Sequence, residues 1–145
     1  MATEPVLFRV VRAWNKDEII ALYQSAGWWR NYYDPKGIAP LIKGSFIFAL
    51  GIDSRTGKAV AMGRVLSDQI ITGYIHDLCV LTDKRGLGIG MGILDFIIQE
   101  AKYAGLSSLF LVAEPDTTVF YKKSGFICNK GLIFLSYNPD GQYET

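Results

Sequence analysis

The residues with the clearest chemical potential lie between positions 80 and 90, which read Val80-Leu81-Thr82-Asp83-Lys84-Arg85-Gly86-Leu87-Gly88-Ile89-Gly90. The stretch follows a run of strand character and precedes a run of helical period. Glycines at a helix start let a ligand come close to the backbone. The first amides of a helix have no partner inside it and sit at the positive end of its dipole. Such a start suits an anion, most naturally a phosphate. A Walker loop needs Gly-Lys-Ser/Thr, and here Gly90 is followed by Met91-Gly92. The dinucleotide pattern G-x-G-x-x-G fails as well. Its last place holds Met91 when counted from Gly86 and Ile93 when counted from Gly88. No acidic residue stands on a following strand about 20 residues on. A plain glycine-rich turn with no ligand is the other reading of the loop.

The preceding strand carries His76, the one histidine of the chain, and Cys79. Strand alternation puts Tyr74, His76, Leu78 and Val80 on one face and turns Asp77 the other way, as a structural residue or a partner of Arg64. A histidine here is either a base working near neutral pH, its pKa lowered by burial, or a side chain filling a polar gap on the sheet. Cys79 has no second histidine to activate it as a nucleophile. Trp28, Trp29, Tyr32 and Tyr33 cluster in a segment without a clean period. They are expected either to floor an apolar or ammonium-binding pocket or to pack into the core, with Trp28 assigned to the core.

The elements that must position these residues follow from periodicity and turn chemistry. Residues 6–11 read as a strand. Asn15 caps a first helix, with Glu18 at the capping-box position, and Gly27 ends it. Asp34-Pro35 starts a short second helix through Leu41 and Ile42. Residues 46–52 and 58–67 flank a polar turn and form a hairpin, and residues 70–81 extend it. Ile89, Ile93, Leu94, Ile97, Ile98 and Ala101 recur at helical spacing, predicting a helix over 89–104 that stops at Gly105. Residues 109–113 form a buried strand parallel to the one before that helix. A helix over 115–124 and strands at 126–128 and 132–137 close the order β α α β β β α β α β β.

The chain has 145 residues, half of them apolar, with 13% aromatic and 20% charged. This is enough for one domain, read over residues 1–145, with a real core. Fifteen basic against fourteen acidic residues leave a formal charge of +1. Nucleic-acid binding ordinarily needs a basic excess, so it is not expected. Two cysteines and one histidine cannot supply the four N/S ligands of a structural zinc site, which leaves a carboxylate-rich site as the alternative, and no metal is expected. Cys79 and Cys128 are read as reduced thiols. No apolar run reaches the ~20 residues of a membrane span, and the opening Met1-Ala2-Thr3-Glu4-Pro5 does not read as a signal peptide. A cytoplasmic protein is expected.

Arg85, Gly88 and Gly90 fit every fixed place of Arg/Gln-x-x-Gly-x-Gly/Ala, the pyrophosphate loop of coenzyme A acetyltransferases. Val80, five places earlier, matches the apolar end of that family's preceding strand. Phe120-Tyr121-Lys122-Lys123-Ser124-Gly125-Phe126 reproduces its aromatic-Tyr-x-x-x-Gly-Phe signature. Leu22-Tyr23-Gln24-Ser25-Ala26-Gly27-Trp28 is similar to a Leu-Tyr-x-Ser-x-Gly-Trp segment of a bacterial branch. With three motifs in the right order, the chain resembles the GNAT superfamily of N-acetyltransferases over nearly its whole length. It departs at Glu114, where many members carry Asn seven residues before the helix tyrosine.

The resemblance implies an α/β fold, with a mixed, splayed central sheet flanked by about four helices. It implies acetyl-CoA as donor and direct acetyl transfer, in a ternary complex, to the primary amine of a small molecule. Cofactor contacts are then expected from Leu78, Cys79 and Val80 on the strand, from Arg85, Gly86, Leu87, Gly88, Ile89 and Gly90 in the loop, and from Phe120 and Lys123. Tyr121 takes the place of the general acid that protonates the CoA thiolate. The strand of His76 resembles that of arylalkylamine N-acetyltransferase, where histidines serve the proton path, so His76 is the candidate base. Trp29, Tyr32, Tyr33 and Tyr74 are the candidate acceptor-site residues. A non-catalytic acyl-CoA-binding or sensor module and a protein or peptide N-acetyltransferase are the alternatives. Tyr121 together with a titratable His76 favours an enzyme. No membrane partner is expected, and a homodimer is left open.

Overall fold

The computed structural model describes residues 5–141. The expectation about a leader therefore falls on residues 1–4, outside those described. The chain divides into two compact units, residues 1–111 and 112–145.

The first unit holds a five-stranded sheet in the order β1-β2-β3-β4-β5. The strands are β1 (Val6–Val10), β2 (Ile47–Asp53), β3 (Ala59–Ser67), β4 (Thr72–Val80) and β5 (Ser108–Phe110). The first three pairings are antiparallel. β5 runs parallel to β4, and the helix α3 (Ile89–Tyr103) between them supplies the crossover that a parallel pair needs. Helices α1 (Lys16–Ser25) and α2 (Ile38–Gly44) precede β2. With α4 (Thr118–Lys122) of the second unit, these make the mixed α/β architecture expected from the sequence.

Alternation along β3 assigns the two faces. Met62 packs in one cluster with Ile19 and Leu22 of α1 and Ile38 and Ile42 of α2. Its neighbour Gly63 faces α3, where an added Cβ would come within 2.6 Å of Ile97 Cδ1. Gly63 thus sets how closely α3 lies on the sheet. Ile93, Leu94 and Ile97 have no exposed surface. Burying each contributes about 1.5–3 kcal/mol, which anchors the helix whose first turn carries the glycine loop.

The cap of α1 is half of a capping box. Asn15 Oδ1 accepts from Glu18 N at 3.0 Å, as expected. Glu18 does not return the bond. Its Oε1 accepts from Ala59 N at 2.7 Å and from Trp14 Nε1 at 3.1 Å, tying the start of α1 to the start of β3.

The closing segments depart from expectation. The helix over 115–124 is reduced to the five residues of α4. Asp116 has φ 66°, outside the helical region, and Thr117 Oγ1 donates to Glu114 O in a local turn instead of capping the helix. Residues 126–128 and 132–137 form no strand among the described residues. Leu132 N closes a turn on Asn129 O, and Ile133, Phe134 and Leu135 are at least two-thirds exposed. Apolar, β-prone composition does not make a strand without a ladder partner.

Candidate active site

The site begins at an irregularity in β4. Met62 pairs with Cys79 and Arg64 with His76, so two residues of β4, Asp77 and Leu78, stand opposite Gly63. This is a β-bulge, and Asp77 has φ 58° in the left-handed region. Asp is among the few side chains that tolerate this conformation. The extra residue breaks the alternation expected for the strand. Tyr74 and His76 share a face with Arg64 and, past the bulge, with Cys79, whose Sγ donates to Leu22 O of α1. Leu78 turns instead to the α3 face, beside Gly63 and Ile97. Val80 pairs with Ala61, one place from Met62, and leaves the face of His76 with it. The expected grouping of Tyr74, His76, Leu78 and Val80 is corrected accordingly.

Asp77 is the hub of a polar cluster. Its Oδ2 accepts from Tyr23 Oη at 2.7 Å and from Arg64 Nε at 2.8 Å. Its Oδ1 lies 3.3 Å from His76 Nδ1. Arg64 also donates from Nη1 to Ser45 Oγ at 3.4 Å, and its Nη2 lies 3.2 Å from His76 Nδ1. The Arg64–Asp77 pairing expected from the sequence is present. Burial, with the Asp77 carboxylate adding to it, pushes the Tyr23 phenol far above its ordinary value. The same two causes, in the same order, raise Tyr74. His76 itself is 45% exposed, so the burial expected of it is absent. Cys79 is buried, and burial pushes its thiol up to about 12, which keeps it protonated at neutral pH.

β4 and β5 pair only through Thr72, Gly73 and Tyr74. Beyond Tyr74 they part, and no strand among the described residues pairs with residues 75–80 on that side. This open edge runs into a 3-10 turn (Thr82–Lys84) and then the start of α3. Gly88 caps α3 with φ 81°, and its ladder opens with Gly92 N donating to Gly88 O at 3.0 Å. The amides of Gly88, Ile89 and Gly90 precede that bond. Gly86 also has φ 81°, and a Cβ on Gly86 or Gly88 would meet nothing within 4 Å. Among the described residues nothing fills the space beside Gly86 and Gly88, which leaves room for a pyrophosphate, and the unpaired edge of β4 leaves room for the amide-bearing arm of CoA. Leu87 is exposed, whereas Ile89 is buried and has only its backbone to offer.

Arg85 is placed differently from a phosphate-gripping cation. Its Nε donates to Val80 O at 3.2 Å and its Nη2 to Ser25 O at 3.4 Å. Thr82 N donates to Ser25 Oγ at 3.0 Å. These bonds pin the loop to the end of β4 and to the C-terminal end of α1. The glycine-loop motif marks Arg85, and Ser25 is a fixed place of the Leu-Tyr-x-Ser-x-Gly-Trp segment, whereas no motif marks Thr82, which also helps hold the loop.

Beside the Asp77 cluster lies a cavity of about 230 Å³. Trp28, Trp29, Tyr33 and Tyr23 give it aromatic walls, Ile38 and Leu41 an aliphatic one, and among the described residues Asp77 is its single charged lining residue. Trp29 and Tyr33 meet edge to face with centroids 5.4 Å apart. Trp28 also packs against the buried cluster, so it serves both core and cavity. Tyr32 stands outside the lining at 80% exposure, its ring against that of Tyr33. Tyr74 is not on the lining either. It lies beside His76, with centroids 5.5 Å apart.

In the second unit, Tyr121 of α4 packs edge to face against Phe120 and Phe126. Burial, and then the carboxylate of Glu114, raises its phenol, which stays protonated at neutral pH. Lys123 is exposed at the C-cap of α4.

A sheet edge that opens beside a glycine-capped helix is the layout expected from the resemblance to N-acetyltransferases. The sequence model of the acetyltransferase (GNAT) domain family matches residues 44–128. The chain belongs to this family. It is 35% identical over 115 residues to an uncharacterized N-acetyltransferase, ycf52, of Pyropia yezoensis, covering 78% of this chain and 65% of that protein. It is 30% identical over 80 residues to serotonin N-acetyltransferase 2, chloroplastic, of Oryza sativa subsp. japonica, covering 55% of this chain and 40% of the relative. The chain thus spans less than two thirds of the length of these curated relatives. A probable acetyltransferase from meticillin-resistant Staphylococcus aureus shares the fold, with a TM-score of 0.74 at 20% identity over 92% of this chain and all of that one. Among the described residues, no helix is long and apolar enough to cross a membrane.

Proposed function

We propose that this chain transfers an acetyl group from acetyl-CoA directly to the primary amine of a small molecule, within a ternary complex. The observation that carries this reading is the open edge of β4 at residues 75–80, followed through one 3-10 turn by the glycine start of α3. When bound, acetyl-CoA supplies an activated thioester. The backbone groups along 78–80 that β3 does not pair, the Val80 carbonyl apart because Arg85 Nε holds it, would pair with its arm and offer an N–H to the thioester oxygen, a role that needs no particular side chain. The amides of Gly88, Ile89 and Gly90 take the pyrophosphate. Arg85 contributes by holding the loop, and Leu87 and the later residues Phe120 and Lys123 are further candidate contacts.

Direct transfer is supported by the state of Cys79. A thiol buried in the sheet, with its pKa pushed up to about 12, is a poor nucleophile for an acyl-enzyme. His76 is the proposed base for the acceptor ammonium, and Tyr121, from the match of residues 120–126 to the family's motif, is the proposed acid that would protonate the departing thiolate. The free thiols Cys79 and Cys128 fit a reducing compartment such as the cytoplasm.

Initial-rate kinetics over a grid of acetyl-CoA and amine concentrations test the reading. Intersecting double-reciprocal lines are expected. Parallel lines, together with an acetylated protein trapped in the absence of amine, would replace the ternary complex by a covalent route. Absence of both CoA binding and turnover would remove the acetyltransferase reading altogether.

A further inference from the structure

We infer that Asp77 is the anchor for the acceptor's ammonium group, and that the acceptor is a compact primary amine with a flat, apolar body. The inference rests on the acetyltransfer reading for the word acceptor, and on the cavity alone for the chemistry of the ligand. Regular alternation would have turned Asp77 towards α3. The bulge turns its carboxylate to the α1 side, into the cavity wall. Bulges commonly re-aim a side chain beside a functional site, and a non-glycine residue held at positive φ costs free energy that the surroundings must offset. Here the Tyr23 hydroxyl and the Arg64 guanidinium hold it.

Those two donors both occupy Oδ2. A carboxylate has about four acceptor positions, and among the described residues Oδ1 has only His76 Nδ1 beside it, at 3.3 Å. It therefore retains capacity for an incoming N–H. Arg64 compensates the charge of Asp77, but it does not line the cavity. A ligand entering the cavity thus meets one negative group and the rings of Trp28, Trp29, Tyr33 and Tyr23. Aromatic faces attract cations and pack well against flat apolar groups. At about 230 Å³ the cavity is smaller than the ~300–1,000 Å³ typical of drug-sized ligands, which favours a small amine over a peptide.

The test measures binding, not turnover. Quenching of tryptophan fluorescence is followed at pH 7 with 2-phenylethylamine and with its uncharged counterpart, 2-phenylethanol. The unaltered protein should bind the amine about tenfold or more tightly, the scale of a hydrogen bond to a charged group. Asp77→Asn tolerates the same backbone conformation and should abolish that preference while leaving affinity for the alcohol in place. Equal affinities in the unaltered protein, or a preference kept by Asp77→Asn, would overturn the anchor. The amine-to-alcohol ratio of the unaltered protein tests the anchor even if Asp77→Asn does not fold. Tyr33→Ala, at a 43% exposed position, should weaken 2-phenylethylamine several-fold more than ethylamine. An equal loss for both would overturn the flat-body assignment. Turnover of amines by a cavity indifferent to charge would sink the anchor alone. A charge-selective cavity in a protein with no acetyl-CoA-dependent turnover would sink the acetyltransfer reading and leave the anchor standing.

Discussion

Arg64 Nε donates to Asp77 Oδ2 at 2.8 Å, across the place where β3 and β4 fall out of register. Both side chains are only 14% exposed. Removing one partner of such a pair leaves a charge without compensation in poor solvent, which typically costs about 3–5 kcal/mol. Arg64→Met should therefore lower the urea midpoint substantially. It should cost more than Arg64→Met combined with Asp77→Asn, because the double variant removes the stranded charge. Chemical denaturation of the single and double variants checks this, and an additive loss would show that the pair is not coupled.

Much of the frame that brings these residues together is legible in the sequence. The 3.6-residue recurrence of Ile89, Ile93 and Ile97 marks α3, and Gly88 and Gly90 mark its start. Asn15 marks the cap of α1. The bulge is not legible, because alternation arguments assume one residue against one residue. Only the choice of Asp at position 77, a side chain that tolerates positive φ, hints at it. Leu78 and Val80 consequently leave the face of His76, and the polar cluster gathers around Asp77. Residues 132–137 fail for the opposite reason. Their composition is that of a strand, but strand formation depends on a partner that composition does not specify.

Gly88 separates ligand space from protein space. Its φ of 81° disfavours any side chain, yet a Cβ there would meet none of the described residues within 4 Å. Gly88→Ala should cost about 1–2 kcal/mol of stability through the backbone alone. It should reduce CoA affinity by more than the stability loss explains, since the methyl group would stand over the pyrophosphate amides. Thermal denaturation and CoA titration of the folded variant separate the two effects. Intact CoA affinity would remove the loop from the binding site.

Cys128 is exposed and Cys79 is buried. One equivalent of an aromatic disulfide reagent should react rapidly with the folded protein, and a second only after unfolding. The raised thiol also makes stability depend on pH. Above the ordinary thiol value near 9, Cys79 ionises in the unfolded chain while the folded chain holds its proton up to about 12. Stability is therefore fully present below pH 9. It should fall by about 1.4 kcal/mol per pH unit as pH rises through that window. Tyr23, also raised, adds to the fall above the ordinary tyrosine value near 10. Cys79→Ala should flatten the slope between pH 9 and 10, where the thiol acts alone of the two. An unchanged slope there would assign the loss to other groups.

Tyr121 and Glu114 offer the sharpest test of the acid role, because their coupling lies within the second unit. Burial raises the Tyr121 phenol first, and the negative charge of Glu114 raises it further by disfavouring the phenolate. A raised phenol stays protonated through the working range, as a proton donor must. Tyr121→Phe should keep CoA affinity and lower kcat by about 10²–10⁴-fold with an amine for which chemistry is rate-limiting. Glu114→Gln keeps the shape and removes the charge, so the Tyr121 pKa should fall. If Tyr121 is the donor, the alkaline limb of the kcat profile should move to lower pH in Glu114→Gln, with the plateau little changed. Profiles of both variants against the unaltered protein distinguish donor from packing residue. An alkaline limb that stays in place in Glu114→Gln, together with unchanged kcat in Tyr121→Phe, would leave Tyr121 as an aromatic packed between Phe120 and Phe126.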